Sequence, residues 1–292
     1  MAMTYFLSSL LFLAIINGIH AVNYSVTIKT ASGARFDRDI GGQYTLQTLD
    51  SATNFICNDI LKINCPINRK DVQHISIFVA DDMDGDDVAY QDNNEIQVNS
   101  RYIEGYSGDV KREITGVLYH EMTHVWQWKG NGQATQGLVE GVADYVRLKA
   151  GFAPSHWVMS GQGSSWDQGY DVTARFLDYC NSLKDGFVVE LNKKMRDAYS
   201  DSYFCDMLGK SVDQLWEDYK VKVRPRVIPN HGAKVDRGAH DLETDQDRDR
   251  PGSIPSTIEG NLPSQITESR NIRNWTRIMA EIPARIKKRL IN

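Results

Sequence analysis

Two histidines four residues apart, His120 and His124, with Glu121 beside the first, restrict this chain more than any other feature. On an α-helix that spacing puts both imidazoles on one face, one turn apart, where they can bind a single metal ion. Glu121 then sits next to them, able to polarise a water on that ion. The helix is readable around them. Asp109 offers a cap at its start, and Val110, Ile114, Val117, Leu118 and Val125 recur as a buried side. Two core histidines with a solvated glutamate would give the same pattern, so the surrounding residues decide.

A zinc site of this kind needs a third protein ligand and keeps one position for water. A histidine six residues after the second, in a Gly-x-x-His arrangement, fails here because position 127 is Gln and position 130 is Gly. The other option is a glutamate from a following helix. The segment Leu138-Val139-Glu140-Gly141-Val142-Ala143-Asp144-Tyr145 supplies Glu140, and Gly130, Asn131 and Gly132 provide a turn that folds it back. A surface carboxylate is the plainer reading of Glu140, but Val139 and Val142 beside it argue for a ligand. Asp144, one turn on, can accept a hydrogen bond from a ligand histidine and fix its tautomer.

The start of the chain reads as an export signal over residues 1–21. Leu7 and Leu10 to Ile16 form an apolar block too short to span a bilayer, and Ala21 offers a small residue for cleavage. Export suits the four cysteines. Local closure favours Cys57–Cys65 and Cys180–Cys205, and no Cys-x-x-Cys spacing suggests a metal. Asn23 and Asn274 begin glycosylation sequons. With 33 Lys+Arg against 38 Asp+Glu among 292 residues, the net charge of -5 argues against a nucleic-acid partner for the whole protein.

The pattern along the chain predicts an α+β fold. Strands are expected at 24–28, 74–79 and 95–99, with a helix through 46–63 between them. Residues 81–87 form an acidic turn, read as a solvated loop because the twelfth position from Asp82 is Asn93 rather than the glutamate of a calcium loop. Helices follow near 109–129, 136–150, 171–184, 186–198 and 211–222. The main domain spans 22–229. Beyond it, 230–292 comprise a charged linker and a basic amphipathic tail, able either to contact an acidic surface or to dock as a short helix.

His120 to Gln127, Val139 to Tyr145, Trp166 to Leu177 and Ser211 to Trp216 together closely resemble the plant basic secretory protein family, secreted proteins classed as zinc peptidases of plants and bacteria. The resemblance covers roughly 23–225. It implies a zincin-like fold of the Glu-zincin type, extracellular location and a role in defence. Two features depart from it: an isoelectric point near 5.8 is not basic, and the segment after about Pro229 has no counterpart. The expectation is a secreted endopeptidase acting on peptides or proteins. Zn2+ would be held by His120, His124 and Glu140, with Glu121 as general base and Tyr170 or His156 as an extra donor. The strand Glu95 to Asn99 is a candidate edge for substrate. Trp126, Trp128, Trp157 and Trp166 are expected in the core and cleft lining. The rival readings are a secreted defence-related binding protein that keeps the zinc site with little catalysis, and metal-assisted hydrolysis of a non-peptide bond.

Overall fold

The computed structural model describes residues 22–29, 33–65, 67–83 and 87–223. They belong to the first of two compact units into which the chain divides, residues 1–224. The expected signal segment 1–21, the tail 230–292 and the sequon at Asn274 lie outside the described residues. Asn23 is exposed at the start of the first strand.

The expected α+β architecture is present. Strands β1 (Asn23–Ile28), β2 (His74–Ala80), β3 (Ala89–Asp92) and β4 (Glu95–Asn99) make one sheet in the order β1-β2-β4-β3. The first two pairings are parallel, setting Val26 beside Ile77 and Ile77 beside Ile96. Alternation explains the buried face: Ile75, Ile77, Val79, Ile96 and Val98 all enter the core. Between β1 and β2 lie α1 (Ala34–Asp39) and α2 (Gly42–Asn54), which a π-helical turn, Phe55–Ile60, extends. After β4 come α3 (Ser100–Gly105), α4 (Val110–Trp126), α5 (Gln136–Lys149), α6 (Tyr170–Leu183), α7 (Phe187–Lys194), α8 (Ser202–Leu208) and α9 (Val212–Val223). Helix α4 packs against α2, α5 and β3. Trp126 and Trp166 are buried, whereas Trp128 and Trp157 are half-buried.

Two expectations are corrected. Glu95–Asn99 is an interior strand, because Ala89–Asp92 folds back through a turn at Asn93 (φ 54°) and pairs antiparallel on its outer side. Among the described residues the edge strand beside α4 is therefore β3. The disulfides Cys57–Cys65 and Cys180–Cys205 are not formed, and all four thiols are free. Cys57 and Cys180 are buried in the apolar core while Cys65 and Cys205 are exposed, so each pair is divided between interior and solvent. Short loop closure favours neighbours in sequence but does not set which way each side chain faces. Burial pushes the Cys57 thiol up to about 11 and raises Cys180 as well.

Close contact between α5 and α6 depends on missing side chains. A methyl group at Gly141 would run into Thr173 Cγ2, and one at Gly137 would run into Asp167 O. Thr173 is fully buried; its hydroxyl accepts from Gly169 N–H at 2.8 Å and donates to Trp166 O at 2.8 Å.

Thiol labelling of the native protein should modify Cys65 and Cys205 and spare Cys57 and Cys180 until unfolding; four thiols protected until a reductant is added would contradict this. Gly141→Ala should destabilise the fold by about 1–3 kcal/mol through overpacking against Thr173, seen as an earlier urea midpoint, and an unchanged midpoint would count against this packing.

Candidate metal centre

Capping and burial set the register of the two helices that meet here. The Asp109 carboxylate accepts from Arg112 N–H at 3.0 Å, capping α4. Ile114, Leu118, Met122 and Val125 are buried on its inner side, each contributing about 1.5–3 kcal/mol. At the far end Lys70 donates to Val125 O at 2.9 Å. Helix α5 begins at Thr135, whose hydroxyl accepts from Leu138 N–H at 3.2 Å. The chain reverses through Gly130–Gly132, with Asn131 at φ 52°.

Helices α4 and α5 run antiparallel. At one end Arg147 Nη2 pairs with Glu113 Oε2 at 3.0 Å, both side chains buried, and Tyr102 donates to Glu113 Oε1 at 3.2 Å. At the other, Gln127 Nε2 donates to Val139 O at 3.1 Å. Between these ties the structure gathers His120, His124 and Glu140. Nε2 of His120 lies 3.0 Å from Nε2 of His124 and 3.1 Å from Glu140 Oε2, and His124 Nε2 lies 3.3 Å from the same oxygen. Among the described residues this is the group of histidines, cysteines and carboxylates that could hold a metal ion. Two imidazole nitrogens and a carboxylate oxygen suit zinc, whose tetrahedral ligands at about 2.0–2.1 Å from the ion stand about 3.3 Å apart. The donor set and its spacing therefore fit.

Each of the three has an outer partner. His120 Nδ1 is 2.7 Å from Asp144 Oδ1, the contact expected of Asp144. Two partners were missed from sequence: Gln127 Nε2 is 2.7 Å from His124 Nδ1, and Gln136 Nε2 donates to Glu140 Oε1 at 2.5 Å. Their signal was helical spacing, three residues after His124 and four before Glu140.

The charges are strongly coupled. Burial alone would lower the pKa of His120, but Asp144, Glu140 and Glu121 together raise it well above the ordinary value. Burial would raise Glu140, yet His124 and His120 hold it well below the usual carboxylate range. Glu121 is buried beside them; that burial raises its pKa, with His120 and His124 opposing.

Tyr170 opens α6 and stacks on His120, with ring centroids 6.0 Å apart and planes 11° apart. Its φ of 46° is left-handed, a conformation that a bulky residue adopts at a cost of about 1–3 kcal/mol. Tyr170 is partly exposed, but its phenol faces the cluster, and the loss of water there, then Glu140, Asp144, Glu121 and Asp87, raise its pKa above the usual range, so the hydroxyl keeps its proton. His156 is exposed on the loop between α5 and α6 and is not part of this cluster.

The family described as peptidase of plants and bacteria, abbreviated BSP, matches residues 18–219. A Boswellia serrata protein named basic secretory protease is 48% identical over 60 residues, covering 20% of this chain and 69% of that protein. No solved structure matches the chain. No helix among the described residues is long and apolar enough to cross a membrane. With the match spanning more than half its length, the chain belongs to the basic secretory protein family, peptidases of plants and bacteria.

Proposed function

We infer that this protein is an exported zinc-dependent endopeptidase of the Glu-zincin type. The observation that carries the reading is the convergence of His120, His124 and Glu140 with Glu121 buried alongside. These three would hold Zn2+, and Asp144 would orient His120. Residues 1–21 would be removed on export, leaving a 22–229 catalytic domain of zincin-like type and the 230–292 tail. Action outside the cell in defence is what the family resemblance implies.

A zinc ion held there would supply a water of lowered pKa and an electrophile for the peptide carbonyl. Glu121 would take a proton from the attacking water and return it to the leaving amine. A binding module has no use for a base at that position. Tyr170, protonated and stacked on His120, is placed to donate to the oxygen that gains charge as the carbonyl is attacked. An extended peptide would lie along β3, the sheet edge that packs beside α4, and add main-chain hydrogen bonds there. Gly137 lets the 167–169 loop close onto α5 and so brings Tyr170 towards the ligands.

Glu121→Gln should retain zinc yet cut a mixed peptide library roughly 10²–10⁴-fold more slowly than wild type. Cleavage by the variant at the wild-type rate would remove Glu121 from the mechanism, while inert wild type with zinc bound would favour a binding role. Asp144→Asn should weaken zinc binding roughly 10- to 100-fold, measured by chelator competition, and unchanged affinity would contradict its orienting role.

A further inference from the structure

Gln127 is the residue at which α4 ends. Its backbone turns extended (φ −69°, ψ 151°) while its N–H still donates to Thr123 O at 2.8 Å. The side chain is fully buried. Its Nε2 contacts both His124 Nδ1 at 2.7 Å and Val139 O at 3.1 Å, and its Oε1 has no hydrogen-bond partner. The catalytic reading above uses none of this. A buried amide that leaves its oxygen unpaired beside a metal-ligating histidine calls for an explanation.

An amide nitrogen only donates, so the His124 Nδ1 that faces it accepts. Neutral His124 then carries its proton on Nε2, the atom directed at His120 and Glu140. His120 is held in the opposite sense, because the Asp144 carboxylate only accepts and keeps a proton on Nδ1. A metal ion takes the lone pair of a ring nitrogen, and the proton on the other nitrogen then needs an acceptor. For His124 to ligate through Nε2, its proton must move to Nδ1, with no net change in proton number. Turning the Gln127 amide about its last side-chain torsion exchanges Nε2 with Oε1 and presents that acceptor. The turn reverses the bond to His124, gives up the one to Val139 O, and employs the oxygen that is otherwise idle.

We propose that Gln127 is the positioning residue for His124. Its amide holds the ring, and the orientation of that amide selects the tautomer: nitrogen towards Nδ1 in the metal-free protein, oxygen towards Nδ1 in the loaded one. The inference rests on the metal-centre reading above. It makes an amide, and not a carboxylate, the partner of the second histidine, so that His124 accepts or releases a metal ion by a local rearrangement without burying a further negative charge.

The test is the histidine tautomer, read by two-bond 15N–1H spectra of the full chain with chelator and with one equivalent of zinc. The signals of His124 are assigned through their loss in His124→Asn. Wild type should show Nε2–H at His124 without zinc and Nδ1–H with it. Gln127→Glu, which only accepts when ionised, should show Nδ1–H in both states and bind zinc at least as tightly as wild type. Gln127→Met, similar in length but with no hydrogen bond, should weaken zinc binding roughly 10- to 100-fold. Nδ1–H in metal-free wild type, or wild-type affinity in a folded Gln127→Met, would overturn the role of Gln127. If that variant does not fold, the spectra of wild type and Gln127→Glu decide alone. A wild type that takes up no zinc would instead overturn the metal-centre reading itself.

Discussion

His120 and Glu140 meet because α4 and α5 run antiparallel at close range, their register held by the buried Glu113–Arg147 pair at one end. A shift of one helix by a single residue would rotate a side chain of the cluster by about 100° and carry it off the shared face. The buried Glu113–Arg147 pair matters for this reason more than for net stability. Charges removed from water gain little overall, but breaking such a pair leaves one uncompensated, which penalises every other register. Tyr102, donating to Glu113, adds a contact from α3 to the same point.

A second constraint lies across α5. Its inward side carries Glu140 and Asp144 towards α4, while Gly137 and Gly141 admit the 167–169 loop and α6. One helix thus serves two interfaces: carboxylates where it faces the histidines, and no side chain at all where backbone must approach. The strained backbone at Tyr170 follows from this arrangement, since α6 starts immediately after a loop pressed onto α5. The sheet contributes by placing the short edge strand β3 against the helix that bears both histidines.

The helix pair and its three converging side chains were legible because their signals are local. An i, i+4 histidine pair, a capping Asp109, a glycine-rich turn and the count of ligands that zinc requires all lie within a few dozen residues. β3 was not legible: Ala89-Tyr90-Gln91-Asp92 has little apolar alternation, and its pairing is decided by β4. For the same reason β4 could not be recognised as an interior strand. The cysteines misled because separation along the chain is silent about facing; Cys57 is turned into the core and Cys65 away from it. Gln127 and Gln136 escaped because glutamine belongs to no apolar period and acquires meaning only when the atoms it touches are known.

If His120, His124 and Glu140 bind zinc as proposed, X-ray absorption at the zinc edge of the purified protein will show one zinc per chain, with light-atom ligands only, nitrogen and oxygen at about 2.0–2.1 Å and the imidazole pattern of two histidines. Sulfur at about 2.3 Å, or a protein that holds no zinc after exposure to it and still cleaves peptides, would contradict this assignment.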